Sequence, residues 1–408
     1  MAVDQTVINE YIKDRLEGGV NNLMWTGNYF LNRFRSNNIK VNPANYTTKL
    51  KARVGANQGV AQTTVVPRSG KTKTIDKQIA MKKTYAFLEV DGDAVAYAPN
   101  DLEAAFMSAV AGETASLMDT INRNYEVAFF GKGDGVRATI ESVAGGPPIT
   151  SIVLAEPVNM DWFELNQIID TYNYTNDAHR TRYEVTAINS STRTLTVTEI
   201  TSTSDPVADD FVTNQRELDN CFMGFLGFCD DGTELATLHN IDSSTYELWR
   251  AKVDENGGTN RAIDSDMLDK AIIWCNRSGG CDMVTTTEDL MLSIANLINA
   301  NRTWVNVTDL KGGFQGLSWA GREVYADMYA KLHNVFFSNS SKIEIRQMVG
   351  TQNNVFGAMK WDTMGTGKDY FTRVLTEGTV ENYQGLIRAD FAVVTTDRKA
   401  HSRIGDVE

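Results

Sequence analysis

Hydrophobic side chains recur at the helical period in one long segment of this chain, between residues 100 and 130. The apolar positions that mark one face of the segment are Leu102, Phe106, Val110, Leu117 and Ile121. Pro99 and Asn100 precede them and Glu103 occupies the third helical position, a start typical of a capping box. At ~1.5 Å per residue, the pattern predicts a helix on the order of 45 Å long that ends near Phe129.

Three glycines follow this helix, in the run Phe130-Gly131-Lys132-Gly133-Asp134-Gly135. Glycine is unfavourable inside a helix, so we predict that Gly131, Gly133 and Gly135 form a stop or hinge at the end of the helix. The same glycines resemble the start of a dinucleotide-binding fingerprint. That interpretation is disfavoured because they follow a helix instead of a strand and open no new helix.

Alternation at the strand period dominates two other regions. Leu50, Ala52 and Val54 alternate with basic residues, a polar, glycine-rich stretch follows, and a second alternating run extends from about Thr72 to Val90. We therefore predict a long two-stranded excursion over residues 46–90. In the β-rich segment 137–230, Tyr183–Ala187 and Leu195–Val197 predict a further hairpin, whereas residues 161–172 fit either a short helix or a strand.

The remainder of the chain mixes both periods and predicts an α+β fold. Helices are expected at about Ser265–Arg277 and Glu288–Asn299, and strands at Met283–Thr286, Arg322–Tyr325, Val335–Ser338 and about Leu386–Thr395. By contrast, residues 1–45 show only a short amphipathic stretch and an asparagine-rich run, which we interpret as an arm.

Basic charge is concentrated in residues 48–83. This segment holds one acid, Asp76, and nine cations: Lys49, Lys51, Arg53, Arg68, Lys71, Lys73, Lys77, Lys82 and Lys83. The segment therefore carries +8, and because the whole chain carries −13, all other residues together carry −21. A basic projection on an acidic body favours head-to-tail contacts between copies, which close into rings or continue as lattices.

Two alternatives for the basic segment stay open. It could bind nucleic acid, but the nearest aromatics, Tyr46 and Tyr85, lie outside the charged stretch, and the acidic remainder would repel phosphate. It could also be an ordinary solvated basic face. Docking onto an acidic neighbour is the favoured interpretation, with Lys49, Lys51, Arg53, Arg68, Lys71, Lys73 and Lys77 as the contact residues.

Motifs for catalysis or cofactor binding are weak. Gly70-Lys71-Thr72 lacks the earlier glycine of a phosphate-binding loop, because that position is Val65, and the Asp254–Gly257 run lacks the remaining ligands of a calcium loop. His179, His239, His333 and His401 are dispersed and accompany no nucleophile motif. We predict no cofactor and no enzyme activity, although a site assembled only in three dimensions is a remaining alternative.

Composition and cysteine content also limit the possible classes. Four cysteines without a Cys-x-x-Cys pair favour buried, reduced thiols, with a Cys221–Cys229 or Cys275–Cys281 bridge as the alternative in an oxidising compartment. No apolar run is long enough for a membrane span, and the first residues do not match a signal peptide. The protein is expected in the cytoplasm that made it.

The order of these parts resembles the major capsid proteins of tailed bacteriophages, of the Hong Kong 97 type. Residues 46–90 are similar to the extended loop of that family, residues 100–130 to its spine helix, and the glycine run after Phe130 to the motif that often follows the helix. Met223–Phe228 with Asp230–Thr233 resembles the return from an inserted domain.

The resemblance implies a Hong Kong 97-like α+β fold in seven parts. These are an N-terminal arm (1–45), an extended β-hairpin loop (46–90), a peripheral domain with the spine helix (91–136), an inserted β-rich domain (137–230), a return to the peripheral domain (231–264), an axial domain (265–375) and a C-terminal strand of the peripheral domain (376–408).

The resemblance further implies self-assembly into hexamers and pentamers of an icosahedral virion shell, formed in the host bacterial cytoplasm. Such a shell encloses double-stranded DNA without sequence-specific binding. No long helical segment precedes the arm, which implies a separate scaffolding protein or none, and portal and decoration proteins are possible further partners. The covalent cross-link of some relatives is not expected, because no matching asparagine and acid are recognisable.

Overall fold

The structure is a computed structural model that describes residues 28–34, 39–41, 45–53, 73–91, 102–300, 317–349, 355–356, 360–362, 371–376 and 380–408. The helices are α1 (Tyr29–Phe34), α2 (Leu102–Phe129), α3 (Phe225–Phe228), α4 (Ser265–Cys275) and α5 (Glu288–Ala300). Short 3-10 turns lie at Met160–Trp162, Glu247–Trp249, Asn276–Ser278, Ser340–Lys342 and Arg398–Ala400.

The described strands up to residue 254 are β1 (Ile39–Val41), β2 (Asn45–Arg53), β3 (Lys73–Ala80), β4 (Lys82–Asp91), β5 (Val136–Ala144), β6 (Ser151–Leu154), β7 (Ile168–Tyr172), β8 (His179–Asn189), β9 (Thr194–Ser202), β10 (Phe211–Asn214), β11 (Thr237–Leu238), β12 (Ile241–Asp242) and β13 (Lys252–Asp254).

The later strands are β14 (Met283–Thr286), β15 (Leu317–Trp319), β16 (Arg322–Ala326), β17 (Val335–Ser338), β18 (Ile343–Val349), β19 (Val355–Phe356), β20 (Lys360–Asp362), β21 (Phe371–Thr376), β22 (Val380–Thr395) and β23 (Ser402–Ile404). The chain divides into two compact units.

The first unit comprises the described residues within 1–44, 81–126 and 344–393. Its sheet has seven strands, in which β1, β18, β22 and β20 are successive neighbours, β19 pairs with β18, and β4 and β21 pair with β22. Helix α2 buries Met118, Ile121 and Tyr125, and the Tyr125 ring meets that of Phe391 edge to face, with centroids 5.4 Å apart. The helix predicted over 100–130 is therefore confirmed, while the predicted cap residues Pro99 and Asn100 lie outside the described part.

The second unit comprises the described residues within 45–80, 127–343 and 394–408. Six strands close a barrel in the order β10-β5-β6-β9-β8-β7, which confirms the strand chemistry predicted between 137 and 230. Its interior is apolar and includes Ile140, Ile152, Ile169 and Val185. The ambiguous stretch 161–172 contains the end of a 3-10 turn and then strand β7. It is therefore neither one short helix nor one strand over its whole length.

A six-stranded mixed sheet in the order β13-β23-β17-β14-β16-β15 forms the other large part of the second unit. Helices α4 and α5 contribute Leu268, Ile272 and Ile294 to its core, together with Val284 and Phe337 of the sheet. Strands β14 and β17 occupy the residues predicted for them.

Two sequence-based boundaries are wrong. The return strand predicted from about Thr72 to Val90 is broken at Met81: β3 pairs with β2 in the second unit, whereas β4 pairs with β22 in the first. Likewise, no boundary follows residue 375, because β18 to β21 already belong to the sheet of β22 and the late strand β23 lies between β13 and β17. Alternation defines a strand but does not define which sheet it joins. The division into peripheral and axial domains stays a prediction.

Candidate assembly surface

Strands β2 and β3 form a two-stranded antiparallel ladder that carries most of the described cations of the basic segment. In its register Lys49 lies opposite Asp76, Lys51 opposite Thr74, and Arg53 opposite Lys73, with a register shift between Lys51 and Arg53. The predicted contact residues Arg68 and Lys71 lie outside the described residues. The ladder therefore brings five of the predicted cations, Lys49, Lys51, Arg53, Lys73 and Lys77, onto one two-stranded element.

Lys77 differs from the other predicted contact residues because it is buried, with 3% of its surface exposed. Its ammonium donates to the carbonyl oxygens of Thr395 (3.1 Å) and Thr396 (3.0 Å) and lies 4.4 Å from the ring centroid of Trp249. Carbonyl oxygens and an indole face thus replace the water around this cation. The prediction that Lys77 contacts a neighbouring subunit is therefore wrong, since the side chain anchors the ladder to its own chain.

A backbone contact supports the same anchor. The amide of Gln78 donates to the carbonyl oxygen of His239 at 3.1 Å, and Ile79 is buried beside it in sequence. In the ladder Thr48 lies opposite Lys77, whereas Lys49 and Lys51 occupy register positions of the other face. One face of the ladder is thus the attached face, and the positions of Lys49 and Lys51 belong to the opposite one.

Trp249, whose ring contacts the Lys77 ammonium, is buried and hydrogen-bonded. It ends a 3-10 turn, is 1% exposed, and its indole nitrogen donates to the carbonyl oxygen of Leu238 at 3.2 Å. Burial lowers the pKa of the adjacent His239 to about 3, with further lowering by the positive charges of Lys77 and Arg398. His239 is therefore neutral at physiological pH and adds no further charge around the buried ammonium.

A buried ion pair hydrogen-bonds the segment that precedes Trp249 in the sequence. Arg398 and Asp230 are both fully buried and joined by a contact of 3.0 Å, and Arg398 also donates to the hydroxyl of Ser243 at 2.7 Å. The Asp230 carboxylate accepts in addition from the backbone amides of Gly232 and Leu235. Removing one partner of such a pair leaves an uncompensated buried charge, so these residues fix the loops that carry Trp249.

The glycine run lies where helix α2 ends. The helix stops at Phe129, and Gly133 and Gly135 have φ angles of +88° and +74°. A Cβ on Gly135 would overlap the carbonyl oxygen of Glu217, so this position requires glycine for both conformation and space. The stop occurs where it is predicted, while a hinge motion stays a prediction.

The side chains that could take part in catalysis or metal binding are mostly buried and hydrogen-bonded within the fold. His401 is fully buried, its Nδ1 accepts from the amide of Asn339, and its Nε2 lies 2.9 Å from the hydroxyl of Thr395. All four cysteines are buried and free. Within the described residues no cluster of His, Cys, Asp and Glu suits a metal ion, and no helix there is long and apolar enough to cross a membrane.

No pattern in the sequence indicates the anchor. Trp249, Arg398 and Asp230 lie far from Lys77 along the chain, and the hydrogen bond from Lys77 to Thr395 spans 318 positions. A lysine in a run of lysines is expected to be exposed. Only the fold identifies this one as a structural residue.

The fold of this chain is similar to that of a phage capsid chain of known structure. A solved chain of the cyanophage A-1(L) capsid matches with a TM-score of 0.50 and 11% identity, over 92% of both chains. This finding confirms, for the fold, the resemblance to phage capsid proteins that the sequence predicts, and at this identity it shows the fold alone.

Two further solved structures match with lower scores. The holo-SrpI encapsulin complex of Synechococcus elongatus matches with a TM-score of 0.45 and 7% identity over 91% of this chain and 84% of that one. The capsid of a native GTA particle matches with a TM-score of 0.45 and 9% identity, over 92% of this chain and 90% of that one. No family model and no curated protein sequence matches this chain.

Proposed function

We propose that this chain is the major capsid protein of a tailed bacteriophage and assembles into the hexamers and pentamers of an icosahedral head around double-stranded DNA. The observation that carries the proposal is the capsid fold, matched over 92% of this chain. We further propose that it follows the Hong Kong 97 plan, with α2 as the spine helix, the β2–β3 ladder as the base of the extended loop and the barrel as an inserted domain.

The basic residues between positions 49 and 73 would make the contact between subunits. The proposed contact residues are Lys49, Lys51, Arg53, Arg68, Lys71 and Lys73, without Lys77, which serves as the anchor. The basic segment carries +8 and all other residues together carry −21, so contact of this segment with acidic residues of a neighbouring chain gains favourable electrostatic energy at short range, within the Debye length of about 8 Å at physiological salt. Because the two surfaces differ, each contact is heterologous and repetition can close a curved shell.

The acidic remainder suits the proposed content of the shell. Tight binding of DNA phosphates requires Lys and Arg contacts that displace counterions, and an acidic lining offers few of them. Packaged DNA would therefore be enclosed without sequence-specific contacts. Scaffolding, portal and decoration proteins are possible separate partners, and we place assembly in the host bacterial cytoplasm and the product in the virion.

Expression of the full chain, alone and with the proteins encoded beside it, tests this function. We expect megadalton particles in sedimentation and closed shells in negative-stain images. A double charge reversal in the loop, Lys51→Glu with Lys71→Glu, should reduce shell yield at least tenfold while circular dichroism stays unchanged.

The matched control is Arg216→Glu with Lys342→Glu, which changes net charge equally outside the basic segment. Control shells should form at the unmodified yield. Chains that stay monomeric at high concentration with every neighbouring gene product supplied would refute the capsid function. Normal shells from the loop variant would refute only the proposed role of the loop in contacts between subunits.

A further inference from the structure

A concave site separate from the ladder lies in the second unit, at the carboxyl end of helix α4. Its cavity has a volume of about 460 Å³. Three segments contribute to its walls: the stretch 245–252, the end of α4 with the turn after it, and the turn Arg398–Ala400. A cavity of this size falls within the range of about 300–1,000 Å³ that is usual for small-molecule sites.

The walls of this cavity are basic. They include four cations, Arg250, Lys252, Arg277 and Lys399, against one carboxylate, Glu247. Most wall cations reach the cavity from different segments, so their charges converge on one volume. In a chain of net charge −13, such a concentration of positive charge outside residues 48–83 is unexpected.

None of these four cations forms a salt bridge within the part of the chain that the structure describes. Neighbouring cations do: Arg261 and Lys270 both reach the Asp254 carboxylate, at 2.7 and 2.9 Å. Arg250 is fixed in place because its Nε donates to the carbonyl oxygen of Ser243 at 2.6 Å. The cavity therefore presents positive charge that no carboxylate pairs with in a salt bridge within the described residues, and one of its cations, Arg250, is held in place.

An aromatic ring accompanies the charges. Trp274, at the last turn of α4, lines the cavity and is half-buried. The Lys270 ammonium lies 4.9 Å from its ring centroid, and because the Trp274 side chain is also part of the cavity wall, we expect a planar ligand to stack on its ring. Stacking of bases on an aromatic ring is a common source of affinity in nucleic-acid sites, and it is tolerant of base identity.

We propose that this cavity binds a nucleotide unit, with the phosphates against Arg250, Arg277 and Lys399 and the base on Trp274. The combination of converging cations and an indole favours this ligand over an acidic peptide, whose carboxylates would use the charges but not the ring. The nucleotide can come from a free nucleoside triphosphate or from a strand of nucleic acid. The proposal does not depend on the proposed shell function, because it concerns a site within one chain.

Binding to the dissociated full-length chain tests the proposal. Probes are ATP, inorganic tripolyphosphate, a short oligothymidylate and a glutamate-rich peptide, each titrated at two salt concentrations. We expect ATP to bind at least tenfold more tightly than tripolyphosphate. Binding of the oligonucleotide as well would identify a nucleic-acid strand as a source, whereas ATP binding without it would identify the free nucleotide.

Two variants separate the parts of the site. Arg277→Gln with Lys399→Gln should weaken ATP binding at least tenfold, and for a single strand it should lower the slope of log affinity against log salt by about 1.4, since each phosphate contact contributes ~0.7. Trp274→Leu should remove the preference for ATP over tripolyphosphate and leave tripolyphosphate binding unchanged. Arg216→Gln with Lys342→Gln, the charge-matched control outside the cavity, should bind ATP like the unmodified chain.

Several results would overturn the proposal. One is a chain that binds the peptide but binds neither ATP nor the oligonucleotide. The others are equal affinity for ATP and tripolyphosphate, and equal ATP affinity of the cavity variant and its control. Because all measurements use dissociated subunits, a failure here would leave the capsid proposal untouched, and failure of shell assembly would leave this site untouched.

Discussion

Replacing Lys77 with methionine tests whether the ladder is anchored as the structure shows. The methionine keeps most of the apolar stem and removes the ammonium, together with two hydrogen bonds to the carbonyl oxygens of Thr395 and Thr396 and the contact with Trp249. Hydrogen bonds from charged donors contribute ~1.5–3 kcal/mol each, and a desolvated cation–π contact about 2.

The desolvation of the buried ammonium opposes these gains and is of the order of several kcal/mol. The net loss on substitution is therefore smaller than the sum, and we expect docking of the ladder to weaken by about 2 kcal/mol, because the two carbonyl oxygens lose their charged donor. A two-stranded hairpin is marginal by itself in water, so an undocked ladder also loses its internal hydrogen bonds.

Amide hydrogen exchange measures this opening directly. About 2 kcal/mol corresponds to a roughly thirtyfold loss of protection. The loss should include the amide of Gln78, which donates to His239, while the amides of β8 and β9 in the barrel keep their protection. Lys342→Met serves as the control. Unchanged exchange at Gln78 in the Lys77 variant would refute the anchoring role.

Further predictions concern a glycine pair, acid sensitivity and the thiols. Gly135→Ala should destabilise the chain by about 3 kcal/mol because of its positive φ and its clash with Glu217, whereas Gly112→Ala, with open space around it in α2, should stabilise it by ~0.5–1 kcal/mol, as read from urea midpoints. Burial lowers the pKa of His239 and of His401 to about 3, and the unfolded chain takes up these protons below about 6.5. Stability should therefore fall as pH drops from 6.5 to 5, by about 2 kcal/mol per histidine at pH 5; a flat urea midpoint over this range would contradict the burial. The four buried cysteines should react with a thiol reagent only after denaturation, and a fast-reacting thiol in the native chain would show that a cysteine is exposed.

Local pattern and chain topology differ in how far the sequence predicts them. The period of helix α2 and the apolar runs of β14 and β17 are local, and the structure has these elements where the pattern predicts them. The break at Met81 was invisible because alternation continues across it while the pairing partner changes from β2 to β22. Closure of the barrel likewise depends on pairings between strands distant in sequence, such as β10 with β5.

The candidate assembly surface shows the same limit. Charge content correctly indicated that residues 48–83 differ from the rest of the chain. It did not distinguish Lys77 from its neighbours, because the residues that enclose it come from positions near 249 and 395. Contacts of that sequence separation are set by the completed fold, and a count of charges carries no information about them.

The place of β23 has a consequence for the timing of biosynthesis. This strand lies between β13 and β17 and pairs with both, in parallel with the first and antiparallel with the second. A ribosome adds about 5–20 residues per second, so after residue 254 the strand β13 waits about 8–30 s for residue 404. Until residue 404 has been made, the strand position between β13 and β17 is empty, so the edge strand β13 is separated from the other strands of its sheet.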